Sequence, residues 1–477
     1  TYYMVSTTMH FMPGCEILQS FDLVHWEHVT YVYETLDHTD AQQLKSGQNI
    51  YGQGMWAASL RYHEGRFYIC FVANDTRKTY LYTSEKIDGP WKKQLIEGFY
   101  HDGSLLFDED GRNYIVYGND EIWITELNED LTAPKKDGLH RLLVSDHKNP
   151  ELGYEGSHIQ KINGYYYIFL VHSLRDRWMR TEACFYSDSL EGEFTGGDVL
   201  CDDRGYCGQG VAQGGIVDTP DGKWYAMLFQ DSGAVGRIPI LLPVTWKDHF
   251  PFFGQNGHVP EEIEVHSTRP GYIYQPLVGS DDFCNGLLPR WQFNHDPDPR
   301  YYHLDALQGT YTITTREVCT ELTQAVNTLT QRMSYPSCAA EVTVDASALK
   351  EGDIAGLCVL QSCYAAVGIT KHHGKYEVLM LDKKEDGILD MTEGTVVESH
   401  QMDFRLEADF CNMKDEARCY YRVNKGDWLP IGTVHKLYFK LDHFTGCRFG
   451  LFCYASEETG GSACFRDFKY YDVDEIS

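Results

Sequence analysis

The chain has 477 residues, a formal net charge of −29 and an aromatic content of 14%. A negative balance of that size argues against nucleic acid and against anionic membranes as partners, because both would be repelled. The length exceeds what one hydrophobic core usually serves and predicts two domains.

No stretch approaches the roughly 18 apolar residues that a membrane-crossing helix needs. The fifteen cysteines show no CxxC pair or regular spacing. Several, such as Cys70, Cys358 and Cys453, sit inside apolar runs where cysteine serves as a small buried hydrophobe. A reducing, cytoplasmic setting is therefore expected. The sequence opens mid-strand at Thr1 with no initiator methionine, so a signal peptide stays open as an alternative.

In the first half one unit recurs five times. A turn glycine is followed by aromatic residues and an apolar strand, then by a second strand ending in Ser and an aromatic near a tight turn. Copies begin at Tyr2-Tyr3, Gly65-Arg66-Phe67, Gly111-Arg112-Asn113-Tyr114, Gly164-Tyr165-Tyr166 and Gly222-Lys223-Trp224. Five units at roughly fifty-residue spacing predict a five-bladed β-propeller with four strands per blade around a central channel. Asp22 and Asp188 lie in the repeated turns and are read as turn residues.

Near Arg269–Pro276 the repeat stops. Short alternating strands follow, such as Ala340–Asp345 and Phe449–Tyr454, and predict a two-sheet sandwich of the jelly-roll kind. The expected division is a propeller over 1–275 and a β-sandwich over 276–477. The fold class is all-β.

Two stretches carry the chemistry. Glu155 opens the strand and Asn163-Gly164 hairpin of Glu155-Gly156-Ser157-His158, and Asp102 stands about fifty residues earlier in the similar His101-Asp102-Gly103-Ser104. Any single acidic residue beside a turn is usually a cap. Two carboxylates at the mouths of successive hairpins point instead to acid–base work on a sugar.

These residues resemble glycoside hydrolase family 43, and the resemblance spans nearly the whole chain. Thr1–Val5 with Phe11-Met12-Pro13-Gly14 is similar to the family's opening strand and aromatic loop. Gly54-Met55-Trp56-Ala57 resembles its tryptophan-bearing strand. His101-Asp102-Gly103-Ser104 resembles Asp-Pro-Ser, and Glu155-Gly156-Ser157 resembles Glu-Gly-Pro. Leu287–Asp298 and Asn327–Arg332 are similar to the sandwich of β-xylosidase and arabinofuranosidase members.

The resemblance implies an inverting exo-glycosidase that removes arabinofuranosyl or xylosyl units from small arabinoxylan-derived oligosaccharides. Inversion uses two carboxyl groups roughly 6.5–9.5 Å apart. Glu155 is implied as general acid, with Asp102 beside it to orient it and favour its protonated form. The family's general base is an aspartate just before the strand that begins here at Thr1. It is expected upstream of this sequence, and a polypeptide truly beginning at Thr1 is expected to show almost no hydrolysis.

Trp56, Phe11 and Arg237 are implied to line the sugar pocket. From the sandwich, Phe444 is the candidate for an aromatic that closes it. Gln213 stands where many relatives carry a histidine beside a calcium ion or a water. No cofactor is expected, and the glutamine counts against calcium. No transition-metal cluster is predicted from the spacing. A homo-oligomer is compatible with this reading. Two other readings remain: a fructan- or sucrose-type five-bladed hydrolase, which Glu155-Gly156 disfavours, and a carbohydrate-binding protein with a decayed site.

Overall fold

A computed structural model describes residues 1–472. The first half is a five-bladed propeller. Blade 2 is built from Met55–His63, Arg66–Ala73, Lys78–Ser84 and Lys92–Ile96. Blade 3 runs through Ser104–Phe107, Asn113–Asn119, Glu121–Leu127 and His140–Ser145. In blade 4 the strands are Glu155–Ile162, Tyr165–Ser173, Arg180–Ser187 and Thr195–Leu200; in blade 5 they are Ala212–Asp218, Trp224–Asp231, Arg237–Lys247 and Phe250–Phe253. The second strands read as continuous apolar runs because neighbouring blades cover both of their faces. Tyr165–Ser173 is buried almost throughout.

Blade 1 departs from the expected four strands. It holds three among the described residues, Tyr2–Ser6, Gly14–Ser20 and Glu27–Tyr33. The Ser-aromatic turn shows which three they are. Ser20 ends its strand as Ser84 and Ser187 end the third strands of blades 2 and 4. Tyr2–Ser6 therefore corresponds to a second strand, not to an opening one. On the outer side, the connector from blade 5 fastens blade 1: Thr268 N–H donates to Phe21 O, and Glu27 accepts from Gln275 N–H. Asp22 behaves as a turn residue, accepting the N–H groups of Val24 and His25.

Blades 2, 4 and 5 start with the same irregularity. Each first strand carries one extra residue against its neighbour, at Met55–Ala58, Glu155–His158 and Ala212–Gly215. In blade 3 the bond from Gly118 N–H to His101 O, ahead of the Ser104–Val116 pair, has the same offset. A bulge of this kind bends the strand and re-aims its side chains. Asp102, Gly156 and Gln213 are the second residues of their bulges, and all three have left-handed backbone, with φ of 48°, 69° and 68°. The repeat thus sets its bulged residues together at one end of the channel.

The second half is a sandwich of a nine-stranded and a seven-stranded sheet. Val342, Leu357, Phe404, Phe449 and Phe465 fill the space between them. One strand of the larger sheet comes from the propeller. Phe11–Met12, in the loop after the first strand of blade 1, pairs with Gln292–Asn294. Around it, Gln292 donates to Pro13 O, Arg332 pairs with Glu16, and Arg316 donates to Gln43 O.

Candidate active site

The bulges of blades 3 and 4 bring His101, Asp102 and Glu155 together, with ligand-type atoms all within 4.8 Å of one another. His101 Nε2 lies 3.6 Å from Asp102 Oδ2 and 3.6 Å from Glu155 Oε2. That is ion-pair range but too long for a good hydrogen bond. Asp102 Oδ2 accepts the Gly156 N–H at 3.0 Å, and Glu155 Oε2 accepts from Asn119 Nδ2 at 2.8 Å.

Asp102 is buried. Burial pushes its carboxyl above the usual range; the charge of Glu155 adds to this, while His101, the Gly156 N–H and Arg237 oppose it. Burial alone would lower the His101 imidazole, but the neighbouring Glu155 and Asp102 carboxylates outweigh it and hold it above its ordinary value. Two carboxyl groups this close are nearer than the roughly 6.5–9.5 Å of an inverting acid–base pair. The geometry therefore suits one proton-carrying group and one neighbour that orients it.

Gly156 is required by its surroundings. A Cβ there would stand 2.7 Å from Gln213 Cγ, and its φ of 69° disfavours other residues. Gln213 thus lies against the bulge that carries Glu155. Its N–H donates to the buried Glu182, whose carboxyl is raised well above the usual range by burial, although the same N–H and Arg180 oppose this.

Arg61, on the first strand of blade 2, reaches blades 3 and 4, donating to Leu105 O, Ser104 Oγ and Ile159 O. His158 lies half-buried near this guanidinium, and desolvation followed by that charge lowers its imidazole to about 4.

Arg237 borders the same mouth. Its Nε donates to Asp231 Oδ1 at 3.0 Å, and its guanidinium lies 4.5 Å from the Phe229 ring centre and 4.2 Å from that of Phe444. Arg180 shares Asp231 at 3.7 Å. Phe444 reaches this point on the sandwich segment Leu441–Cys447. Its ring meets Trp56 edge-on at 5.5 Å, and Trp56 lies 6.0 Å from the His101 ring. Glycine permits the approach, since a Cβ on Gly446 would fall 2.1 Å from Val235 O. Cys447 N–H then donates to Ala234 O.

Glu155, Asp102, Trp56, Arg237, Gln213 and Phe444 are thus brought to one end of the propeller. Phe11 is not. Its ring is fully buried, packs with Leu322, Tyr364 and Phe452 of the sandwich, and carries the Arg448 guanidinium 3.6 Å above it. The expectation that Phe11 walls a sugar pocket is corrected on this ground: the strand that holds it is committed to the sandwich sheet. Sequence reasoning missed His101, Asn119, Arg180 and Asp231. The position of His101 beside Asp102 was visible, whereas the other three arrive from separate strands and left no local signal.

Residues 1–251 match the profile described as glycosyl hydrolases family 43, and residues 280–471 match the β-xylosidase C-terminal concanavalin A-like domain. A bifunctional GH43-CE protein of Bacteroides eggerthii is 42% identical with a TM-score of 0.91; the match covers all of this chain and 61% of that one. A β-xylosidase of Formosa agariphila is 26% identical over 99% of this chain and 86% of its own length. A GH43 glycoside hydrolase engineered at its active site to display both endo-xylanase and exo-arabinofuranosidase activity is 27% identical, with a TM-score of 0.85 over 99% of this chain and 96% of that one. With its propeller matched over more than half of its length, this chain belongs to glycosyl hydrolases family 43.

Proposed function

We propose that the protein is an inverting exo-glycosidase that removes terminal arabinofuranosyl or xylosyl units from arabinoxylan-derived oligosaccharides. The observation that carries this is the Phe444 segment. An aromatic from the second domain meets Trp56 and Arg237, with Trp56 in turn 6.0 Å from the ring of His101, the neighbour of Glu155, and supports a pocket that admits a chain end. Glu155 protonates the leaving oxygen. Asp102, held by the Gly156 N–H, positions it. Arg237 meets sugar hydroxyls, Trp56 and Phe444 flank the ring, and Gln213 supports the floor.

Asp102 stands too close to Glu155 to activate water on the opposite face of the sugar. Asp231 is engaged by Arg237 and Arg180, and burial raises the Glu182 carboxyl well above the usual range. This reading leaves the base to a carboxylate other than these three. No cofactor takes part. The fifteen unpaired cysteines support a reducing compartment.

The test compares nitrophenyl arabinofuranoside with nitrophenyl xylopyranoside, follows the anomer of the released sugar by NMR, and sizes the products from xylo-oligosaccharides. Single sugars released with inverted configuration are expected. Retained configuration, fructose release or internal cleavage would overturn the reading, as would tight sugar binding without turnover.

A further inference from the structure

We infer that His101, Asp102 and Glu155 form a binding site for a transition-metal dication of the zinc type, and that the ion, once bound, blocks the acid end of the active site. The two 3.6 Å separations from His101 Nε2 are long for hydrogen bonds. They match the edges of a coordination tetrahedron: ligands at about 2.0–2.2 Å from zinc stand about 3.3–3.6 Å from one another.

His101 Nε2 is shielded from solvent and has no hydrogen-bond partner. A nitrogen left without a partner beside two carboxylate oxygens is the arrangement that a metal completes. The outer partners are also in place, since Asn119 Nδ2 donates to Glu155 Oε2 and Gly156 N–H to Asp102 Oδ2. Such bonds orient ligands and sustain affinity.

The donor set selects the ion. One imidazole and two carboxylates leave a fourth position open, which suits zinc or cobalt. Calcium takes six to eight oxygen ligands and magnesium a near-octahedral shell of oxygens, so both fit poorly. Two carboxylates and a dication cancel in charge. Arg237 beside Asp102 and Arg180 beside Glu155 oppose the ion and limit its affinity.

Metal binding does not depend on the proposed function. The blockade does, because it rests on the reading that Glu155 must carry a proton and the ion would take the oxygen that carries it.

The test titrates tag-free protein with Co2+ followed by visible absorption, and with Zn2+ by calorimetry. One ion per chain is expected, not displaced by excess Ca2+. Asn119→Ala should weaken binding by about 10–100-fold, as outer partners usually do, and His101→Phe by more. His101→Gln serves as a second variant, and thermal melts check that both are folded. No binding by the unaltered protein, or equal binding by folded His101 variants, would overturn the site. Zn2+ should also slow glycoside hydrolysis and EDTA should restore it. Binding that is lost with His101 but leaves hydrolysis untouched would keep the site and overturn the blockade.

Discussion

Glu155 and Glu182 are both glutamates of blade 4 and meet opposite fates. Glu155 is about a quarter exposed and is held by one amide, so it can exchange a proton with a ligand. Glu155→Ala is expected to slow hydrolysis of natural glycosides by about 10²–10⁴-fold and to affect nitrophenyl glycosides far less, because good leaving groups need little protonation. Equal losses on both would remove it from the acid role. Glu182 is fully buried and one of its oxygens has no partner. Its folded form holds a proton that the unfolded form releases above about pH 4.3. Stability therefore declines as pH rises beyond that value. Glu182→Gln keeps an acceptor for Gln213 N–H and removes the titration. Melting curves between about pH 5 and 8 should show a flatter dependence in the variant, with the gain at the alkaline end.

At the scale of strands, the repeat was legible because its parts are local. Turn glycines, paired aromatics and the Ser-aromatic turn each lie within a few residues, and they located every blade. The bulges were not legible. An extra residue at Glu155–His158 is defined only against Val171 and Phe169, which the sequence does not display beside it. Phe11 was misplaced for the same reason: a two-residue strand does not announce which domain's sheet it will join. Of the candidate site, the bulged residues could be located by motif, while Asn119, Arg180 and Asp231 converge only through folding. The bulge of blade 4 also invites a test. Gly156→Ala places a Cβ 2.7 Å from Gln213 Cγ in left-handed backbone. A loss of about 1–3 kcal/mol is expected, read as a lower melting temperature, together with reduced turnover as Glu155 shifts.

At the scale of the whole molecule, the sandwich meets the propeller at the Phe11–Met12 strand, at the loop around residues 42–52 and at the Phe444 segment. Phe444→Ala is expected to raise KM for short oligosaccharides more than it lowers kcat, with the protein still folded, because the ring contacts Trp56 and Arg237 at the rim of the propeller mouth. An unchanged KM would assign the ring to packing alone. Removing 277–477 would strip the partners of Phe11, Pro13 and Glu16 and expose an apolar face. The isolated propeller is expected to aggregate. A soluble, fully active propeller would show that the sandwich serves another purpose.

The shared sheet has a consequence for how the chain responds to cutting. Residues between Phe253 and Gln292 form no named strand, and the stretch just before the sandwich is exposed at Ile273. A protease that severs this connector would break the covalent path between the halves but not the backbone pairing of Phe11–Met12 with Gln292–Asn294 or the Arg332–Glu16 ion pair. The two fragments should therefore travel as one particle on a sizing column and separate only in denaturant. In that sense the loop after the first strand of blade 1, not the connector, is the hinge-pin that makes two domains a single body.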